Sequence, residues 1–295
     1  MSLRHATAVV VLALAAACAP GSPSATPVAT PQHQAASLQL SAIPTDRTEP
    51  VLPIDKTKLN GRLRGIVAKQ PGRTTAAVED LFTGRVYQFS PQLVLPTAST
   101  AKVDILMAAL RTTRWTSLPA PVRRDADIMI RVSDNKAADR LWERIGREGG
   151  LTTANRAFKL KRTTAIGGRC VDLYCWGITQ TTAADQVRLV KLLTRKDSPV
   201  KDRRVILDLM EKVVPEQKWG VSAGACAGET VALKNGWLKH VANEKWVIVS
   251  AGLIAGRFAV AVLTEDNETS DAGIAKVENI TRQLLAAFRT CPSAR

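Results

Sequence analysis

Three short groups of residues could do chemistry together. Ser99 is followed by Lys102 in the run Ser99-Thr100-Ala101-Lys102. Residues three apart share one face of a helix. A serine with a lysine one turn away is a nucleophile with a base in reach. Lysine ordinarily titrates near ~10.4, so it serves as a base only where burial or a second cation lowers that value. The second group is Ser133-Asp134-Asn135 and the third is Lys234-Asn235-Gly236, followed by Trp237. Each has a plain reading when taken alone. Ser-x-x-Lys recurs at Ser133 to Lys136 and at Ser198 to Lys201. Ser, Asp and Asn all cap helices well, and a strand lysine can simply face solvent.

Rival chemistries find little support. The chain has three histidines, His5, His33 and His240, and only His240 falls in the part expected to fold. Gly220-Val221-Ser222-Ala223-Gly224 matches a nucleophile-elbow pattern. That motif needs a strand before it and a helix after it, whereas Pro215 precedes it and Gly228 follows. One histidine and scattered cysteines give no metal-ligand spacing, so no metal is expected. No glycine-rich phosphate loop occurs, and no cofactor is expected.

The elements that must position these groups can be read from pattern. Residues 56–67 suit a helix. Residues 75–80 and 85–89 are strand-like runs around Phe82-Thr83-Gly84, a hairpin signal. Pro96 sits where an extended segment can end, and Val103, Leu106, Met107 and Leu110 mark one buried face of a helix that Ser99 would start. A turn-rich break at 117–121 precedes helical spacing at 122–130, 136–145, 152–158, 183–193 and 205–212. Three strands follow in close succession, at 230–238, 246–253 and 258–264, and 271–288 is a final amphipathic helix. Strands at both ends with helices between describe a discontinuous α+β domain with an all-helical insertion. The expected division is 51–117 plus 219–295 for the α/β part and 118–218 for the helical part.

The 295 residues, 45% of them hydrophobic, suffice for a full-sized core. The net charge of +15 comes largely from arginines spread along the chain, and suits attraction to lipid headgroups or acidic wall polymers. No nucleic-acid motif is present, and none is expected in an exported protein. Residues 1–18 read as an export signal: a basic start at Arg4 and His5, then an apolar run too short to span a bilayer. Ala15-Ala16-Ala17-Cys18 looks like a bacterial lipoprotein cleavage site, with Cys18 as the lipidated residue. Ala15 stands where Leu is commonest, and an ordinary secretory signal cut near Ala17 or Ala19 is the alternative. Residues 19–50, rich in Pro, Ser, Thr, Ala and Gln, read as a tether. Four cysteines then remain, Cys170, Cys175, Cys226 and Cys291. They permit three pairings or free thiols. One pairing joins Cys170 with Cys175 and Cys226 with Cys291.

In order and type, the three groups resemble the Ser-x-x-Lys, Ser-Asp-Asn and Lys-(Thr/Ser)-Gly boxes of class A β-lactamases and penicillin-binding proteins. The resemblance covers about 52–287. After Ser133 it includes Ala137-Ala138 and Ile145-Gly146. It implies an antiparallel five-stranded sheet flanked by the first and last helices, with an all-helical domain beside it. It also implies roles. Ser99 would be the nucleophile and Lys102 its base, Lys234 the second cation and Ser133 a proton relay to the leaving group. Asn135, Asn235, Gly236 and Trp237 would line the substrate site, with the N–H groups of Ser99 and Trp237 as the oxyanion hole.

Two departures stand out. Asn235 replaces the usual Thr or Ser. Class A enzymes also carry a glutamate on the loop before Thr181-Thr182, where it activates the deacylating water. Between Leu160 and Thr182 this chain has no Glu, and Asp172 is the only acid. The expectation is therefore a monomeric, exported serine hydrolase, lipid-anchored to the outer face of the cell membrane through Cys18. β-Lactams or peptidoglycan-like amides would acylate it at Ser99, with weak or absent deacylation unless Asp172 serves as base. The alternative is a non-catalytic envelope binding protein that keeps the fold.

Overall fold

Long runs dominated by Val, Ala, Leu and Ile need both faces covered. In the computed structural model, which describes residues 53–167 and 175–291, the two such runs form the middle of a sheet. The strands are β1 (Arg73–Asp80), β2 (Val86–Phe89), β3 (Leu95–Pro96), β4 (Gln180–Thr181), β5 (Val231–Lys239), β6 (Trp246–Ile254) and β7 (Phe258–Asn267). Five make one antiparallel sheet in the order β2-β1-β7-β6-β5. The helices are α1 (Lys56–Lys69), α2 (Ala101–Thr112), α3 (Ala120–Arg131), α4 (Asn135–Arg144), α5 (Arg147–Ala157), α6 (Ala183–Thr194), α7 (Arg203–Glu211) and α8 (Ser270–Ala286).

The alternation of β7 sorts the core into two. Phe258, Val260 and Val262 pack with Leu59 and Leu63 of α1 and Val277, Ile280 and Leu284 of α8. Ala259, Ala261 and Leu263 face the other way, in one cluster with residues of α2, α4 and α6. Helix α2 is buried at every position from Ala101 to Leu110. A helix covered all round is one that other elements pack against from several sides, and this one carries Ser99 at its N-terminal end. The fold is thus α+β, with the first and last helices on one face of a five-stranded antiparallel sheet. All described residues lie in the compact unit that begins at Val51. The proposed signal, Cys18 and the tether to residue 50 fall outside the described residues. None of the described helices is long and apolar enough to cross a membrane.

Several elements differ from the sequence expectation. Helix α5 begins at Arg147 rather than 152 and runs through Gly149 and Gly150. A Cβ on Gly150 would lie 1.6 Å from the Ile145 carbonyl oxygen, so close packing here requires the residue that propensity reads as a breaker. The two-residue ladder between β3 and β4 is too short to show a period. Gly220–Gly224 is a 3-10 helix, not a strand-to-helix turn. His240 meets Glu265, with Nε2 at 2.7 Å from Oε1. Cys226 and Cys291 form a disulfide with a Cα separation of 5.5 Å. Cys175 is also disulfide-bonded, and Cys170 lies outside the described residues.

Candidate active site

Ser99 sits in a single 3-10 turn, Ala98–Thr100, directly ahead of α2. Ala98, just before it, has φ +45°, a left-handed conformation that costs a non-glycine residue energy and persists only where its surroundings enforce it. Two contacts enforce it. Thr97 N–H donates to Thr179 O at 2.8 Å, which ties the turn to the segment around β4. On the other side β5 presses in at Gly236, where a Cβ would lie 2.6 Å from the Ser99 nitrogen and 3.0 Å from Ala98 Cβ. Only glycine allows that approach.

Lys102, one turn on, is fully buried. Its Nζ lies 3.0 Å from Ser99 Oγ, 3.0 Å from Ser133 Oγ, 2.6 Å from Ser133 O and 2.8 Å from Asn135 Oδ1. The ring of Trp176 covers it, with Nζ 4.7 Å from the ring centroid. Lys234, also buried, reaches the same hydroxyl: its Nζ donates to Ser133 Oγ at 2.9 Å and to Asn235 O at 2.9 Å. Two lysines therefore share one serine with no described carboxylate paired to either. Burial pulls Lys102 down to about 7, against the pull of Asp134 and Asp139. Burial, and then the charge of Lys102, push Lys234 well below the usual lysine range.

Ser133 has φ +66°. Asp134 caps α4, accepting from Ala137 N–H at 2.6 Å, so the capping explanation holds for the middle residue of the group. The two flanking side chains turn to the lysines instead. Helix α4 also carries Asp139, four residues after Asn135 and so on the same face. Asp139 Oδ1 accepts from the indole N–H of Trp176 at 2.8 Å.

Edge strand β5 supplies the remaining residues. Ala255 N–H donates to Thr230 O, and the register continues from Val231 opposite Ile254 to Trp237 opposite Ile248. Paired and unpaired positions alternate in such a ladder. The Trp237 N–H therefore points away from β6 to the free edge, beside the Ser99 nitrogen that Gly236 abuts. The Trp237 ring is 38% exposed and leans on Trp219, with centroids 6.2 Å apart. Asn235 departs from expectation. Its side chain is buried, donating to Gln217 O at 2.7 Å and Trp219 O at 3.0 Å and accepting from Ser250 Oγ at 2.6 Å. Its amide holds the 217–219 backbone, whereas the resemblance had it lining the substrate site. Asp172 lies outside the described residues. Sequence reasoning missed Trp176 and Asp139. The only signal was a tryptophan beside Cys175 in the altered loop. Among the described residues no group of three or more His, Cys, Asp or Glu could hold a metal ion.

The five-stranded sheet with its helices and the buried Ser-Lys-Ser-Lys group fit a beta-lactamase-like serine hydrolase fold. The model of the beta-lactamase enzyme family matches residues 116–288, and the chain belongs to that family. The matched range includes Ser133 and Lys234 and starts after Ser99 and Lys102. The chain is 27% identical over 226 residues, covering 72% of it and 69% of the relative, to "Putative lipoprotein LppW" of Mycobacterium bovis. A protein of the same name from Mycobacterium tuberculosis matches equally. Among solved structures it is similar to PBP-A, with a TM-score of 0.66 and 21% identity over 79% of this chain and 96% of that one. It is also similar to a beta-lactamase from Chitinophaga pinensis, with a TM-score of 0.68 and 16% identity over 78% of this chain and 99% of that one. At these identities the two structures speak for the fold.

Proposed function

We propose that the protein is an exported serine hydrolase that forms an acyl-enzyme at Ser99 with β-lactams or peptidoglycan-like amides and releases it slowly. The observation that carries this reading is the Lys102 ammonium nitrogen within 3.0 Å of both Ser99 Oγ and Ser133 Oγ, unopposed by a described carboxylate. With Lys102 neutral, the Ser99 O–H gives its proton to Nζ as Oγ bonds to the substrate carbonyl carbon. The N–H groups of Ser99 and Trp237 stabilise the oxygen charge that develops. As the C–N bond breaks, the leaving nitrogen takes a proton from Ser133, which regains one from Lys102. Lys234 holds the Ser133 oxygen, donating to it at 2.9 Å. Asn135 orients the substrate amide.

Deacylation needs a base that directs water to the ester. The loop glutamate of class A enzymes is absent, and losing a positioned base typically costs ~10²–10⁴-fold in rate. Asp172 would be the substitute if the loop delivered it. A variant of the related fold PBP-A is described as an acyl-enzyme complex with penicillin G, which is the state proposed here as long-lived. The lipoprotein name of the mycobacterial relatives supports export and anchoring through Cys18.

The buried Asn235 amide favours a second reading, a non-catalytic envelope binding protein, because the third box then offers the cleft no hydroxyl. A fluorescent penicillin, followed by peptide mass spectrometry, decides between them. An adduct on the peptide that contains Ser99, absent in Ser99→Ala, is expected. Sustained hydrolysis at about 10 per second or faster would overturn the slow-release reading. Absence of any adduct leaves the binding-protein reading.

A further inference from the structure

We propose that Trp176 is a positioning residue that aims Lys102 at Ser99 and keeps water from the acyl ester. The inference rests on the reading of Ser99 as the acylated residue. Lys102 Nζ already has four oxygens at 2.6 to 3.0 Å, more than an ammonium has protons to donate. Its remaining side lies on the Trp176 ring at 4.7 Å. A water held between a nitrogen and a ring face needs a gap of roughly 6 Å. None fits here.

Both partners are fully buried, and the ring is fixed at both ends. Its N–H donates to Asp139 at 2.8 Å. Its backbone carbonyl accepts from Thr179 N–H at 3.2 Å and lies 3.4 Å from Thr97 Oγ1, two residues before the nucleophile. The described part of the loop thus places an aromatic wall against the base. Acylation moves protons only among Ser99, Lys102, Ser133 and the leaving nitrogen and can proceed behind that wall. Hydrolysis needs more: water must lose a proton to a base as its oxygen bonds to the ester carbon, and the Ser99 C–O bond must break with return of a proton to Oγ. The wall denies that water a place beside Lys102. Among the described residues the charged groups around Lys102 are Lys234 on β5 and Asp134 and Asp139 on α4, and none of these three belongs to the loop that carries Trp176.

The test follows formation and loss of the penicillin adduct by intact-protein mass spectrometry in wild type, Trp176→Phe, Trp176→Leu and Asp139→Ala. Trp176→Leu is expected to acylate about tenfold more slowly and to lose its adduct about tenfold faster. Trp176→Phe keeps the ring face and stays near wild type in both rates. Asp139→Ala, which frees the indole, shifts both rates in the Leu direction by less. A merely structural role would lower the fraction of competent protein and leave the adduct lifetime unchanged. An unchanged lifetime in folded Trp176→Leu overturns the inference, and an unchanged lifetime in Asp139→Ala overturns it should the leucine variant not fold. Wild type that forms no adduct removes the reading of Ser99 and this inference together. A wild-type adduct with unaltered variant lifetimes removes this inference alone.

Discussion

Two buried charge clusters in this molecule are built on opposite rules. At the end of β1, Asp80 is fully buried and surrounded by donors: Arg257 at 2.9 and 2.8 Å, Thr83 Oγ1 at 2.7 Å, Phe82 N–H at 3.1 Å and Arg85 at 3.5 Å. Burial alone would raise its pKa, but these partners hold it well below the usual carboxylate range. At the head of α2, Lys102 and Lys234 are buried with each other, sharing Ser133 rather than an acid. The first cluster resists any change of protonation. The second sits where a proton is easily given up, because burial and like charge both disfavour the ammonium form. A paired buried charge organises structure. An unpaired one at neutral pH is a candidate for chemistry.

The contrast can be broken most strongly at Lys102. Lys102→Met should lower the rate of penicillin labelling by ~10²–10⁴-fold while the melting temperature stays level or rises, since a desolvated cation is replaced by an apolar side chain of similar length. Equal loss of stability and labelling would place Lys102 with the structural charges. The reverse pattern is expected at Arg257→Met, which leaves Asp80 short of its main partner. Urea unfolding should show a loss of about 3 kcal/mol, with an unchanged labelling rate per folded molecule.

A smaller effect sharpens the same contrast through pH. If Lys102 titrates near 7 and must be neutral to act, acylation should fall about tenfold per pH unit on the acid side and level off above that value. A flat profile from pH 5.5 to 8.5 would separate labelling from Lys102.

A further effect concerns a third buried titratable group. Burial, and then Asp185, raise Asp104 to about 8, and the Asn155 side-chain amide lies 3.1 and 2.8 Å from its oxygens. The folded state then holds a proton that the unfolded chain releases near ~4. The associated stability is complete at low pH and is lost as pH rises toward 8. Asp104→Asn should therefore gain on wild type progressively as pH rises from 5 to 9, read from unfolding curves. A gap that narrows instead would contradict the raised value.

Much of this molecule is legible in its sequence. Helical period alone puts Ser99 and Lys102 on one face, and the long apolar runs at 246–253 and 258–264 mark the centre of a sheet. The order of the three boxes points to the fold. These features are local, because hydrogen-bonding geometry repeats within an element and imposes a period on its residues. Tertiary structure decided the rest. It brought Ser133 to Lys102 across 31 positions and to Lys234 across 101. It turned Asn235 inward to hold the 217–219 backbone, and it laid Trp176 on Lys102 while tying it to Asp139, 37 positions away. No period within one element encodes such meetings. They depend on which faces of separate elements pack together, and on which polar atoms burial then obliges to find partners.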